Sequence, residues 1–314
     1  MKRVLVTTVK RGRPVEESGA VYIYDWDAKK IVYKMGMQHV YARIPRNPRG
    51  GIRGMRGAFV DERKRRIYVA SNDTITTLNY KLEPVHAFSH PLFCNLHDIK
   101  PFKDGILVAS CGNDAILFYR PYDGDVIPLV HSEELNSAYD YRLVDRHGSL
   151  RPNSLAVDKN NCFYVVFATK DYINKYAMEI KGTFSNASLC KYDLTKGITP
   201  HNMLFLESGD KEFYYCSSED SKLYKYSSTT TEDKVVYCDD DRPLFNWASY
   251  KDTKWGWLRG LDGVWGVEKN TLVVGSSPYA RIIKTGFCKP EVVALSDDKH
   301  ESVYSVCLFK KDWQ

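Results

Sequence analysis

Residues 96–119, LHDIKPFKDGILVASCGNDAILFY, contain the pattern from which the fold of this chain follows. A short apolar strand at the start of this stretch ends at a charged turn, Lys103-Asp104-Gly105, and a second apolar strand covers 106–110. Asn113-Asp114 then leads into a third strand over 116–119. Short β-forming runs separated by charged or glycine turns are typical of consecutive antiparallel strands.

The same unit recurs along the chain at intervals of about 40 residues or more, which is the length of one propeller blade. Five copies are complete, and the sixth is split between the two ends of the chain. Its second, third and fourth strands are predicted at 4–8, 20–25 and 30–33, and 302–309 supplies the first strand. Radial repetition of four-stranded units leaves no long open edge. The sequence therefore predicts one all-β domain over 1–314, a six-bladed β-propeller with one blade closed by the C-terminal strand.

The repeat also sets the predicted limits of each blade. In the fourth copy the third strand is placed at Leu189-Cys190-Lys191-Tyr192 rather than at Ile173-Asn174-Lys175-Tyr176, with an insertion between them. A β-sandwich does not explain the split sixth unit, and a seventh blade has room only around 36–54. The predicted blades are blade 1, 1–35 plus 300–310; blade 2, 55–90; blade 3, 96–131; blade 4, 152–199; blade 5, 200–238; and blade 6, 261–296.

Composition narrows the classes of function. The net charge of +6 is a mild bias for a chain of 314 residues and is not a nucleic-acid signature. The eight cysteines are scattered without a CxxC pair, no signal peptide is visible, and no apolar run approaches the roughly 18 residues of a membrane span. We therefore expect a cytoplasmic protein with no membrane partner. The chain has no P-loop, no dinucleotide-binding GxGxxG after a strand and no GxSxG elbow.

One polar or amphipathic residue near the start of each first strand is expected at the mouth of the central channel. His97, His201 and Asp262 suit a transition metal such as Zn²⁺ or Mn²⁺, with Asn153 as an oxygen ligand. Without a metal, His97 and His201 are candidate general bases, and Tyr304 is a candidate proton donor. The equivalent positions are Arg56, His97, Asn153, His201, Asp262 and Tyr304.

Arg56 is expected to bind a substrate carboxylate or phosphate through its guanidinium fork. Inserted segments at 36–54, 131–151 and 239–259 are expected on the same face, where basic and aromatic residues alternate. Such a surface suits an anionic ligand, for which sugar acids, nucleotides and acidic peptides are candidates, and single-stranded nucleic acid is a weaker one. The candidate substrate-binding residues are Arg53, Arg151, Trp257 and Arg259.

The strand starts Arg151-Pro152-Asn153-Ser154 and Thr199-Pro200-His201-Asn202 resemble those of the six-bladed propeller superfamily. This superfamily includes gluconolactonase and senescence-marker lactonases, strictosidine synthase-like proteins, paraoxonases and NHL-repeat propellers. The lactonase branch holds a divalent cation with a Glu, two Asn and an Asp. By resemblance, Asn153 and Asp262 match an Asn and the Asp and add Ca²⁺ to the candidate metals, but no equivalent position carries the Glu.

Two functions remain open from the sequence. The first is a propeller enzyme, a hydrolase or lyase with or without a divalent metal, that acts on a small anionic substrate at the channel mouth. The alternative is a non-catalytic propeller that binds a protein, glycan or nucleic-acid partner through its basic, aromatic-rich face. Channel mouths of non-catalytic propellers are also polar, because buried backbone groups need hydrogen-bond partners.

Overall fold

The structure is a computed structural model of the chain. Of residues 172–177 and 190–192 it describes the backbone only. The described residues are 1–10, 13–37, 54–131, 151–167, 172–177, 190–194, 200–205, 212–218, 220–239, 257–264, 271–286 and 289–313.

β-strands dominate these residues, and the chain ends in one short helix, α1 (Lys310–Trp313). The strands in chain order are β1 (Arg3–Lys10), β2 (Ala20–Asp25), β3 (Lys30–Gly36), β4 (Ala58–Asp61), β5 (Arg66–Ala70), β6 (Thr74–Leu78), β7 (Pro84–Ser89), β8 (Leu96–Phe102), β9 (Gly105–Ser110), β10 (Ala115–Tyr119), β11 (Val126–His131), β12 (Pro152–Val157), β13 (Cys162–Phe167), β14 (Tyr172–Ala177), β15 (Cys190–Asp193), β16 (Pro200–Phe205), β17 (Glu212–Ser217), β18 (Lys222–Ser227), β19 (Glu232–Cys238), β20 (Leu261–Val264), β21 (Thr271–Ser276), β22 (Arg281–Gly286), β23 (Glu291–Ala294) and β24 (Glu301–Leu308).

Within the described ranges these strands form six antiparallel sheets of four strands each. In one sheet the C-terminal strand β24 pairs with β1, from Val4 opposite Leu308 to Lys10 opposite Glu301. The two ends of the chain therefore complete one sheet together. The sheet orders are β24-β1-β2-β3, β4 to β7, β8 to β11, β12 to β15, β16 to β19 and β20 to β23.

The sheets are arranged in a ring. Their innermost strands contact one another in the order β24, β4, β8, β12, β16 and β20, and β20 contacts β24 again. We call these six the inner strands. Their cyclic contacts confirm the prediction of an all-β propeller.

Each sheet is buried on both faces because its neighbours cover it. Val4 and Val6 of β1 pack against the sheet that contains Val273, whereas Leu5 packs against the sheet that contains Val69. Successive side chains of a strand point to opposite faces of its sheet. This explains why the second strands of the sheets, such as β9 and β13, have near-continuous apolar sequences rather than alternating ones.

Two glycines allow neighbouring inner strands to approach closely. A Cβ atom on Gly57 would lie 2.4 Å from the Cα atom of Asp98, and one on Gly260 would lie 2.9 Å from the backbone nitrogen of Val306. Gly260 also has a φ of +82°, a conformation that favours glycine. A larger residue at either position would push the two strands apart.

The fourth sheet corrects one predicted strand. Its third strand is β14, with Phe163 opposite Tyr176, and Cys190–Asp193 is its fourth strand. The predicted third strand at 189–192 was therefore wrong. Both segments carry the same Ile/Leu-x-x-Tyr pattern, and the pattern alone does not distinguish a third strand from a fourth.

No helix among the described residues has the length and apolar composition needed to cross a bilayer.

Candidate functional site

Four inner strands contain a β-bulge near their start, at the level of the predicted channel residues. In each of these four strands, one residue has no partner residue in the pairing with the second strand of the same sheet. A bulge inserts one extra residue and changes the direction of its side chain. The skipped residues are Tyr304 in β24, His97 in β8, Asn153 in β12 and Asn202 in β16.

The other two inner strands are each preceded by an Arg-Gly dipeptide. The Arg56 backbone nitrogen donates to Ala70 at 2.8 Å, and the Arg259 nitrogen donates to Gly275 at 2.9 Å. Each second strand returns a hydrogen bond to the following glycine, Gly57 or Gly260. Arg259 is therefore the structural equivalent of Arg56. This corrects the predicted equivalence, which placed Asp262 at this position in blade 6.

Side chains from three inner strands and from the residues just before β4 and β20 meet in what we call the channel cluster: Arg56, His97, Asn153, Arg259 and Tyr304. His97 Nδ1 lies 2.6 Å from Asn153 Oδ1, and Arg259 Nη2 donates to the same oxygen at 2.9 Å. Arg259 Cζ lies 3.9 Å from the centre of the Tyr304 ring, and Arg56 Cζ lies 5.9 Å from it. The His97 and Tyr304 rings meet edge to face at 5.8 Å.

The hydrogen bonds of the channel cluster determine the tautomer of His97. A guanidinium can only donate, so the atom of Asn153 that faces Arg259 is its carbonyl oxygen. His97 Nδ1, which meets the same oxygen, must therefore carry a proton. In the neutral imidazole this leaves the lone pair on Nε2, which is the form that a general base requires.

The same argument applies to His201, although it lies in different surroundings. The Ser218 hydroxyl donates to the carbonyl oxygen of Leu258 at 2.8 Å, so it accepts from His201 Nδ1, which is 2.7 Å away. The His201 ring also contacts the half-buried ring of Trp257 at 5.8 Å. His201 therefore contacts Ser218 and Trp257.

Asp262 lies deeper along its strand and joins two inner strands. Its Oδ2 accepts from the backbone nitrogen of Leu308 at 2.7 Å, and its Oδ1 accepts from Lys310 Nζ. Asp98 is a similar bridge, because its Oδ2 accepts from the Leu155 nitrogen at 2.9 Å and Lys100 Nζ lies 3.1 Å from its Oδ1. Each aspartate thus joins one inner strand to the next and is paired with a lysine.

These positions test the expected metal ligands. No group of three or more His, Cys, Asp or Glu side chains that could hold a metal ion occurs among the described residues. Asp262 accepts hydrogen bonds from a backbone nitrogen and a lysine, and Asn153 Oδ1 accepts from the cation of Arg259. A cation that already occupies the proposed ligand oxygen repels a metal ion. The set of His97, Asn153, His201 and Asp262 therefore does not fit a divalent metal.

The channel cluster fits an anion better. Arg259 is only 5% exposed, and burial lowers the pKa of its guanidinium, as it does for Arg56. The hydrogen bond recorded for the Arg259 side chain within the described residues goes to a neutral amide. Asn153 Nδ2 and Tyr304 Oη are buried and have no hydrogen-bond acceptor in the described part of the chain. A desolvated cation beside two such donors is the chemistry of an anion site.

The remaining candidate residues are less informative. The Arg151 backbone nitrogen donates to Asp114 Oδ1 at 2.6 Å, which is a contact within the fold. Arg53 lies outside the described residues, as do most of the inserted segments 36–54, 131–151 and 239–259. Sequence reasoning missed Asn95, whose Oδ1 accepts from Arg56 Nη1 at 2.6 Å. It also missed the equivalence of Arg259 with Arg56, although Met55-Arg56-Gly57 and Leu258-Arg259-Gly260 share a pattern that shows it.

The sequence matches no known protein-family model and no curated protein. Among solved structures, a protein of unknown function from Bacteroides caccae aligns with a TM-score of 0.63 and 12% identity over 98% of each chain. A chain of a nidogen/laminin complex aligns with a TM-score of 0.60 and 10% identity, over 97% of this chain and 98% of that one. A streptogramin B lyase aligns with a TM-score of 0.53 and 11% identity, over 95% and 89%. At these identities the similarity establishes the β-propeller fold alone.

Proposed function

We propose that this propeller binds a small anionic molecule in the channel cluster. The observation that supports this most strongly is the buried guanidinium of Arg259, whose contacts within the described ranges are a neutral amide oxygen and an aromatic ring. Burying a charge is costly unless an opposite charge or several hydrogen bonds compensate for it. A bound anion would supply that compensation, and the nearby positive charge of Arg56 would add to it.

We further propose that the protein is an enzyme, a hydrolase or lyase that acts on this anion by acid–base chemistry. His97 Nε2 carries the lone pair and would take a proton from the substrate or from an attacking water. Tyr304 Oη would give its proton to the leaving group. In an elimination, the C–H bond breaks, its electrons form the C=C bond, and the C–O bond breaks as the oxygen receives the tyrosine proton. No metal takes part in this scheme.

Replacement of Arg259 tests whether the channel cluster binds a ligand or serves as structure. Arg259→Met removes a buried charge and retains much of the side-chain volume. If Arg259 is kept for a ligand, the free energy of unfolding should stay the same or rise by about 1 kcal/mol, as it does for other buried charges replaced by apolar groups. A loss of about 3 kcal/mol or more would show that the cation is needed for folding and would contradict the proposal.

Activity is tested with the small-molecule fraction of a cell extract. The purified protein is incubated with this mixture, and mass spectrometry identifies anionic compounds that disappear. We expect consumption by the unmodified protein and not by His97→Gln, with equal folding of both verified by circular dichroism. Equal consumption by both proteins would refute the role of His97. Elemental analysis of the same preparation tests the alternative, since stoichiometric Zn, Mn or Ca would require a metal-dependent scheme.

Two further proposals concern the number of blades and the location of the protein in the cell. We infer that each four-stranded sheet is one blade, so that the ring has six blades; the cyclic contacts of the inner strands support this count. A cytoplasmic location is also proposed, and fractionation of cells that produce the protein would test it.

A further inference from the structure

The proposed anion site contains two arginines whose hydrogen bonds differ. Arg56 Nη1 donates to Asn95 Oδ1 at 2.6 Å and to the carbonyl oxygen of Leu96 at 2.7 Å. Its Nη2 donates to Asn72 Oδ1 at 3.2 Å. The guanidinium of Arg56 is thus already engaged with oxygens of its own and the neighbouring sheet. Arg56 contributes positive charge to the channel cluster, but its guanidinium donors are hydrogen-bonded to Asn72, Asn95 and Leu96.

Arg259 retains most of its donors. A guanidinium has five N–H groups along two edges, and each edge can hold an acceptor pair in parallel. Among the described residues, the Arg259 side chain makes one hydrogen bond, which takes one hydrogen of Nη2. Within this part of the chain, one complete edge of the guanidinium therefore remains for a ligand. The Tyr304 ring packs against Arg259 with its centre 3.9 Å from Cζ, which fixes the plane of this edge.

The available donors match one chemical group. A carboxylate carries one negative charge and has about four lone-pair positions on two oxygens in a plane. The open edge of Arg259 offers two N–H donors, and Asn153 Nδ2 carries two more hydrogens. A phosphate monoester carries up to two charges and three terminal oxygens outside one plane, which is more than these donors satisfy.

We propose that the anion recognised by the channel cluster is a carboxylate, bound in a bidentate manner by Arg259, with Asn153 as an additional donor; Tyr304 Oη then stays available as the proton donor. This inference rests on the proposed function and names the class of ligand for that site. It also reassigns the predicted substrate fork from Arg56 to Arg259. The ligand class is small organic acids, among which sugar acids are included.

Thermal unfolding in the presence of simple anions tests this inference. Sodium acetate, or inorganic phosphate in a parallel series, replaces sodium chloride at constant ionic strength and constant pH. Acetate should raise Tm in a saturable manner, as any ligand that binds only the folded state does. Phosphate should have no saturable effect. The full-length protein is used throughout.

Two variants at Arg259 give the assignment its specificity. Arg259→Gln removes the charge, and Arg259→Lys keeps the charge but removes the fork. Both should weaken acetate binding at least tenfold, and Arg259→Lys serves alone if the glutamine variant does not fold. Arg120→Gln is the matched control, because Arg120 pairs with Asp125 at a turn of another sheet. This variant should bind acetate as the unmodified protein does.

Each outcome has a definite meaning. A saturable acetate effect that is lost in Arg259→Lys supports the inference. A phosphate effect without an acetate effect overturns the carboxylate and leaves the anion-binding function intact. The absence of any saturable anion effect overturns both. An acetate effect that survives in both Arg259 variants places the carboxylate elsewhere and overturns the assignment to Arg259.

Discussion

Replacement of Glu301 should destabilise the pairing of β24 with β1, through which the two ends of the chain form one sheet. This carboxylate lies at the start of β24 and is fully buried. Its Oε1 accepts from Thr8 Oγ1 at 2.5 Å and from Tyr22 Oη at 2.8 Å, and Lys10 Nζ lies 3.1 Å from its Oε2. The three partners belong to the N-terminal strands β1 and β2, so Glu301 links the C-terminal strand to both.

The size of the effect follows from these contacts. Hydrogen bonds to a charged group contribute about 1.5–3 kcal/mol each. Glu301→Ala removes two of them and leaves two hydroxyl groups without their acceptor, whereas Lys10 is partly exposed and can be hydrated instead. We expect a loss of about 3–5 kcal/mol in the free energy of unfolding. Glu301→Gln keeps an oxygen acceptor for both hydroxyls and should lose only about 1 kcal/mol.

Urea denaturation followed by tryptophan fluorescence measures both variants. With a slope of about 3 kcal/mol per molar urea, Glu301→Ala should lower the midpoint by roughly 1–1.7 M. Asp125→Ala is the matched control, because it removes a carboxylate from an exposed pair with Arg120 and should cost at most about 1 kcal/mol. If Glu301→Ala costs no more than this control, the joint between the termini does not depend on the buried carboxylate.

Three further predictions concern the inner strands and the pH dependence. Gly57→Val should destabilise the protein by about 1–3 kcal/mol, because even its Cβ atom would overlap the backbone of Asp98; an unchanged urea midpoint would show that the strands can separate without cost. Asp98→Ala should lower the free energy of unfolding by about 3–5 kcal/mol. Asp98→Asn should lower it clearly less, because the amide oxygen can still accept a hydrogen bond from Ser154 Oγ or from the Leu155 backbone nitrogen. Equal losses in the two variants would mean that the charge alone matters. Burial raises the pKa of Asp298, but hydrogen bonding from His300 and the charge of Lys10 outweigh it and hold the pKa below its usual value. The resulting stabilisation is present above about pH 4 and is lost as the pH falls below it, so Asp298→Asn should show a flatter acid limb in unfolding free energy measured between about pH 3 and 7.

The fold could be predicted because the repeat is local. Each unit contains its strands, turns and small residues within a short stretch, and the pairing of β24 with β1 follows from the one strand that the N-terminal unit lacks. The third strand of the fourth sheet could not be placed, because two segments of the same pattern compete for it and only the backbone pairing of Phe163 with Tyr176 distinguishes them.

The site was harder to predict, because its residues are selected by register. A shift of a few positions separates Arg259, which enters the channel cluster, from Asp262, which bridges to Leu308. An alignment of the repeated units on the turn that follows each first strand does not detect this shift. The bulges that skip His97 and Asn153 are likewise set by the pairing of two strands and not by a residue type. Of the positions that the sequence treats as equivalent, His97 contacts both Asn153 and Tyr304, and Arg56 also lies near Tyr304.

Two kinds of buried or half-buried charge lie in or next to the inner strands, and the difference between them bears on function. Asp98 and Asp262 each bond to the backbone of the next inner strand and each has a lysine as counter-ion. Arg259 instead packs on the ring of Tyr304 and donates to one amide oxygen. Charges that serve the fold are compensated within it, because uncompensated ones destabilise it. Arg259 keeps a full edge of donors within the described part of the chain, and the proposed carboxylate ligand would account for this more simply than the architecture of the ring does.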